Sequence, residues 1–231
     1  MAELIQTTSV WGVPLTMGAF ALGTWVHKKT GWAICNPLLL GSVFIIIFLS
    51  LVQIPFEAYR QSTGFLNYLL LPATVSLAIP LYEQWQTLKK NAVAVLCGIA
   101  AGSVTSMACI IAMGWLLKLD PALTASMMPK SVTTAIGVEV AAELGGLGSL
   151  AGAVIVLTGI VGNLSAVTLC RVCKLRDPVA RGVAIGTGSH AVGTSRALQM
   201  GSVEGAVSGL AIGVAGILTA VLCPILVNFL P

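Results

Sequence analysis

Lys130, with Ser131 beside it and Thr133-Thr134 close behind, and Ser189-His190 in a second polar stretch are the side chains whose types could do chemistry here. An ammonium next to hydroxyl donors suits a small anion, because hydrogen bonds to a charged partner are the strong ones. An imidazole with an ordinary pKa of about 6.5 suits proton coupling, and its neutral form can bond a substrate hydroxyl or carboxylate. The alternatives are a Lys130 that snorkels to an interface and a His190 satisfied by backbone carbonyls in a helix break. No nucleophile or acid pair is arranged for catalysis, so an enzyme is not expected. With only His27 and His190 in the chain, neither a metal site nor a cofactor is expected. Cys170-Arg-Val-Cys173 has redox or zinc spacing but no second pair. The other cysteines read as small apolar helix residues, which fits a reducing compartment.

These residues sit in a chain that reads as membrane. Of 231 residues 57% are hydrophobic and 9% charged, with mean hydropathy +0.97, against about 25% charged in soluble domains. Runs long enough to cross a bilayer occupy Leu4–Val26, Ala33–Phe56, Gln61–Tyr82, Asn91–Leu117, Gly145–Cys170 and Gly205–Pro231. Pro121–Gly145 and Pro178–Met200 are apolar but interrupted, which makes about eight membrane segments of roughly 20 residues. The expected fold is an all-α polytopic membrane protein forming one domain over 1–231, with peripheral helices at about 4–56 and a broken-helix core at about 61–231. Leu4–Val26 lacks a basic leader and a small-residue cleavage site, so it reads as the first span.

The interruptions are Pro129–Thr134 and Gly186–Thr194. Lipid cannot solvate such backbone, so each must be shielded by protein or line a wet cavity. Pro72, Pro129, Gly186, Gly188 and Gly193 are the expected helix breaks. A half-helix starting after a break points amides and its positive dipole end at an anion. Pro72, Pro129 and Ser189 lie 57 and 60 positions apart, a spacing compatible with a repeated broken-segment-plus-span unit or with independent kinks.

The net charge of +4 bears on orientation rather than on nucleic acid, for which no binding is expected. Lys28-Lys29, Lys89-Lys90 and the Arg171–Arg181 loop should all lie inside. Parity then requires that the Lys130 segment not cross as a simple span. It would enter from outside and the His190 segment from inside, as inverted repeats with a site at their interface do. Glu139 and Glu143 share a helix face, with Glu139 a candidate for proton or ion coupling. Arg196 and Glu204 are a candidate neutralising pair. Gly201, Gly205, Gly209 and Gly213 form a four-residue stripe suited to helix packing.

Leu71-Pro-Ala-Thr-Val-Ser-Leu-Ala-Ile-Pro-Leu-Tyr82, Met128-Pro-Lys-Ser-Val-Thr-Thr-Ala135 and Arg181-Gly-Val-Ala-Ile-Gly-Thr-Gly-Ser-His-Ala-Val-Gly-Thr-Ser-Arg-Ala-Leu198 resemble, in order, the three signature stretches of the LrgB/CidB family. Ala135 departs from it, standing where many relatives carry proline. The resemblance covers essentially the whole chain. It implies a multi-pass protein of the bacterial cytoplasmic membrane that acts with a smaller LrgA/CidA-type membrane subunit. The family was named for antiholin-like control of murein hydrolase export and cell lysis. Related members are associated with pyruvate, lactate or acetate transport, and the similar half of a plastid translocator with glycolate and glycerate.

Together the residues and the resemblance lead to an expected secondary transporter of small monocarboxylates, coupled to a proton or sodium ion and oligomeric. Lys130, Ser131, Thr133, Thr134, Ser189 and His190 would line its site, with Thr74 added from the Pro72 segment. The alternative is a membrane regulator of lysis without transport of its own.

Overall fold

The computed structural model describes residues 10–30, 35, 37–76 and 78–230, apart from side chains 67, 70, 71, 73, 74, 80 and 81. The Thr74 side chain therefore lies outside the described residues. The described chain is helical throughout its regular structure and falls into two compact units, Met1–Ser76 and Leu77–Pro231.

The first unit holds α1 (Gly12–Thr30), α2 (Pro37–Val52), α3 (Phe56–Ser62) and α4 (Gly64–Ser76). Small residues let α1 and α2 approach: a Cβ added at Gly23 would meet the Pro37 carbonyl at 2.7 Å, and one at Gly41 would meet Ala19 at 3.5 Å. Pro72 lies inside α4, which runs on to Ser76, so it does not break the helix as expected. Proline removes one amide and crowds one carbonyl, and a helix otherwise bonded along its length tolerates that loss. The expected span Gln61–Tyr82 is trimmed at its start, where α3 and α4 meet at Thr63, and Leu77 within it lies outside the described residues.

The second unit holds α5 (Ala78–Glu83), α6 (Trp85–Lys90), α7 (Ala92–Leu117), α8 (Pro121–Met127), α9 (Thr134–Glu143), α10 (Gly148–Val172), α11 (Pro178–Met200) and α12 (Ser202–Leu226). The helices α7, α10 and α12 have 26, 25 and 25 residues, or roughly 38 Å at 1.5 Å per residue. That exceeds the hydrocarbon core of about 30 Å, and all three are apolar enough to cross it. Their outer faces expose Val93, Val104 and Leu116, Val156, Val161 and Leu169, and Ile217, Val221 and Ile225. Lipid solvates such faces as water does not.

The two interrupted segments are hairpins. In the first, α8 leads to turns at residues 128–133 and α9 then comes back. The return is fixed by Ser126 Oγ, which accepts from the Leu147 amide at 2.7 Å, so the far end of the segment sits against α8. In the second, helical dihedrals fail at Ser189 (φ −141°, ψ 20°) and His190 (φ 42°, ψ −143°) inside α11. Before that point α11 runs parallel to α12, with Gly182 against Val207 and Gly186 against Ala211. After it the two run antiparallel, with Thr194 bonded to Ser208 and Leu198 against Gly205. The chain therefore reverses at Ser189-His190.

Gly186, Gly188 and Gly193 are not the breaks, since irregular dihedrals fall only on the two residues between them. A helical glycine costs only about 1 kcal/mol and serves here for close contact. A Cβ at Gly186 would lie 2.5 Å from the Ser208 carbonyl and 2.8 Å from Ala211 Cβ, and one at Gly193 would overlap Ser189.

The arrangement repeats with inversion. The α7–hairpin junction reads Lys118-Leu119-Asp120-Pro121 and the α10–hairpin junction Lys174-Leu175-Arg176-Asp177-Pro178. Both lysines are left-handed (φ 51° and 53°), and the following leucine amide bonds back to Gly114 O at 3.0 Å or Cys170 O at 2.8 Å, a Schellman closure. Both aspartates cap the next helix, from Ala122 N at 2.8 Å and Ala180 N at 2.9 Å, with proline at its first position. Since α9 returns to the end where α7 finishes, α10 runs opposite to α7, and the hairpins enter from opposite ends.

Three clusters hold this unit. Val95 and Ile99 pack on Val207, Ala211 and Ala215. Met107 and Ile110 pack on Met128, Val140 and Cys223. Ala166 and Cys170 pack on Ile185 and Ala197. The face that α12 buries runs through Glu204, Ser208, Ala211, Ala215 and Thr219. The expected four-residue glycine stripe packs only at its start: Gly205 lies against Leu198, whereas nothing lies within 4 Å of a Cβ placed on Gly213. A stripe that advances by four residues drifts off a face repeating every 3.6.

Two outcomes follow. In a cysteine-free background, Lys118→Cys and Glu143→Cys react with a membrane-impermeant thiol reagent from one face, and Arg176→Cys and Ser202→Cys from the other; labelling of Lys118→Cys and Glu143→Cys from opposite faces would show that the first segment crosses. Gly186→Val lowers the thermal midpoint in detergent, at an overpacking cost of about 1–3 kcal/mol, whereas Gly213→Ala leaves it unchanged or raised.

Candidate functional site

The two hairpins and α7 together line an open cavity of about 470 Å³. One face of α7 supplies Gly98, Ala101, Gly102, Thr105, Ser106 and Cys109. The first hairpin supplies Lys130 and Ser131, and the second Val183, Ala184, Thr187 and Gly188. Both helical sets follow the three- and four-residue spacing of a single face. Gly98 and Gly102 permit the approach of α11: an added Cβ would stand 3.0 Å from Val183 Cγ1 at the first and 2.8 Å from Thr187 Cγ2 at the second.

Three polar side chains form a triangle. Lys130 Nζ donates to Ser106 Oγ at 3.0 Å and to Ser131 Oγ at 3.1 Å, and the two hydroxyls are 3.0 Å apart. An ammonium carries three donors, so one remains. Lys130 forms no ion pair among the described residues. Thr187 Oγ1 is buried without a hydrogen-bond partner, although burying an unbonded hydroxyl costs about 1–3 kcal/mol by mutational measures. Among the described residues the site thus has a cation without an ion-pair partner on one hairpin and a buried hydroxyl without a hydrogen-bond partner on the other.

The remaining expected site residues lie outside this lining. His190, 4% exposed, is turned into the protein. Its Nε2 donates to the Ile155 carbonyl at 2.9 Å, and its ring faces Gly159, where an added Cβ would stand 2.7 Å from Cε1. Ser189 Oγ donates to Ile185 O at 2.7 Å. Thr194 Oγ1 joins His190 O at 2.9 Å and Ser208 Oγ at 2.7 Å. Asn163 Nδ2 donates to Val192 O at 2.8 Å. These bonds tie the second tip to α10 and α12. Thr133 stands at the N-cap of α9 without a side-chain capping bond. Thr134 is exposed at the start of α9, on the side facing Gly152. Glu139 is exposed on α9.

Arg196 and Glu204 do not pair. Arg196 donates to Gln199 Oε1 at 2.8 Å, while the buried Glu204 meets Arg181 at 3.5 Å. Thr187, Ser106, Thr105 and Cys109 were not singled out from the sequence. The available signal was the face-matched pair of Gly98-x-x-x-Gly102 and Val183-x-x-x-Thr187. Among the described residues, no three His, Cys, Asp or Glu side chains gather as a metal would need.

The profile of the LrgB-like family matches residues 16–229. The antiholin-like protein LrgB of Bacillus subtilis (strain 168) is 30% identical over 221 residues, which is 95% of this chain and 96% of that protein. The antiholin-like protein LrgB of Bacillus mycoides (strain KBAB4) is 30% identical over 224 residues, 96% and 97% of the two chains. No solved structure matches. A match over nearly the full length of chain and relatives, on a fold of apolar spans and opposed hairpins, makes this a membrane protein that belongs to the LrgB-like family.

Proposed function

We propose that the protein is a secondary transporter of small monocarboxylates across the bacterial cytoplasmic membrane, acting with an LrgA/CidA-type subunit. The observation that supports this reading is Lys130: a cation without a counter-ion, held by two serines where oppositely entering hairpins meet. A carboxylate would take the free ammonium donor and the remaining serine hydroxyl as charge-assisted hydrogen bonds. Thr187 would satisfy its orphaned hydroxyl on the 2-oxo or 2-hydroxy oxygen of the same acid. At about 470 Å³ the cavity falls in the small-molecule range of about 300–1,000 Å³, with room for water beside a three-carbon acid.

Each hairpin closes the cavity toward the end from which it enters, so movement of one against α7 opens one side at a time, as in carriers built from inverted repeats. A proton or sodium ion is the coupling species. His190 acts in this scheme as a positioning residue, holding the second tip against α10 through Ile155. A second reading, regulation of lysis without transport, is favoured by the name that the relatives carry, antiholin-like protein.

Proteoliposomes containing the protein, with and without its partner subunit, separate the two. The expected outcome is uptake of labelled lactate or pyruvate that falls at least tenfold in Lys130→Ala, a cost of about 1.4 kcal/mol or more. Uptake unchanged by that substitution would remove the site, and no uptake in either composition would favour the regulator. Thr187→Val weakens lactate relative to acetate by several-fold, the scale of one hydrogen bond of about 0.5–1.5 kcal/mol; equal effects on both acids would detach Thr187 from substrate.

A further inference from the structure

A second cavity, of about 480 Å³, opens between the last turn of α10 and the ends of α11. Arg171, Lys174, Arg176 and Arg181 line it, with Cys170 and Met200 on its apolar side. Among the described residues only Arg181 is compensated, by Glu204 at 3.5 Å and through an Nε bond to Leu175 O at 2.8 Å. The other three cations form no ion pair among the described residues.

The inverted repeat supplies an internal control. At the α7 junction the same left-handed lysine, Schellman closure and capping aspartate occur. There Trp115 stands where this junction has Arg171, Thr124 where it has Arg181, and nothing where it has Arg176. The local backbone therefore forms without the arginines, and their convergence on one concavity calls for another reason. Guanidinium groups fork onto phosphate oxygens two at a time, and a basic pocket between spans on the face that loop charge assigns to the inside is suited to an anionic headgroup.

We propose that this cavity binds a phosphate oxyanion, held by Arg171, Lys174 and Arg176 over the Arg181–Glu204 pair. The group comes either from an anionic phospholipid headgroup or from a soluble phosphate. It lies at the opposite end of α11's first half from Thr187 and is separate from the Lys130 cavity, sharing no lining residue with it.

The test uses the full chain in neutral detergent. Native mass spectrometry reads lipid retained from an equimolar mixture of phosphatidylglycerol and phosphatidylcholine, and thermal unfolding is followed with sodium phosphate against sodium chloride at equal ionic strength. The wild type is expected to retain phosphatidylglycerol preferentially, which identifies a lipid source, or to be stabilised by phosphate, which identifies a soluble one. Arg171→Gln/Arg176→Gln should weaken that binding by roughly tenfold or more, and Lys89→Gln/Lys90→Gln, on a different basic loop, should leave it unchanged. Neither response in the wild type, or equal loss in both double variants, overturns the proposal. If Arg171→Gln/Arg176→Gln does not fold, Lys174→Ala at the exposed rim decides instead: weaker binding supports the site and unchanged binding overturns it.

Discussion

Backbone that turns round inside a bilayer has no water to bond its amides and carbonyls, so each must find a partner in the protein. The two hairpin tips meet this demand differently, and the rest of the core follows from the difference. At the first tip the turns are largely self-sufficient: Met128 N bonds to Thr124 O at 3.1 Å, Lys130 N to Met127 O at 3.1 Å and Val132 N to Pro129 O at 3.3 Å, while Pro129 has no amide to satisfy. Its side chains are therefore free for other work. At the second tip His190 is left-handed, and side chains complete the bonding through Ser189, His190, Thr194, Asn163 and Ser208.

That division explains why Lys130 and not His190 reaches the cavity. A side chain recruited to bond a neighbouring carbonyl, as His190 is with Ile155 O, has left the cavity for the protein interior. Gly159 and Gly162 of α10 make the space, since a Cβ at either would strike His190 or Ser189. Glycine on α10 thus seats the second tip, as Gly98 and Gly102 on α7 seat the half-helix leading to it. The second hairpin can sit against α7 and α10 only because both are glycine-lined where they touch it.

Much of this architecture was legible in the sequence. Hydropathy marked α7, α10 and α12 because uncharged runs of that length have few other uses, and loop charge required the Lys130 segment to return because the Lys89-Lys90 and Arg171–Arg181 loops cannot otherwise share a face. Reading breaks from residue type held at Pro129, which lies in the turns of the first tip, and failed elsewhere. Pro72 sits within a continuing helix, Gly186 and Gly193 serve contacts and Gly188 stands in open space, whereas the reversal falls on serine and histidine. Reversal depends on whether tertiary bonds await the freed backbone, and a propensity carries no record of those. The repeat was likewise visible but sought in the wrong place: Asp120-Pro121 and Asp177-Pro178, 57 positions apart, mark it better than Pro72 does.

The cavity was the least legible part, for a reason of register. Val183, Ala184, Thr187 and Gly188 share one face of α11's first half, and Ser189 lies just past it, where the helix ends. A polar stretch read as a block cannot tell Thr187 from its neighbours, although only the helical face decides which hydroxyl meets Lys130's side of the cavity. Ser106 was hidden differently, inside an uncharged span whose average hydropathy conceals the run Ser103–Ser106. Once α7 is paired with α11 through Gly102 and Thr187, Thr105 and Ser106 of that run fall in the lining beside Lys130 and Ser131, and a span that reads as plain membrane anchor becomes one wall of the site.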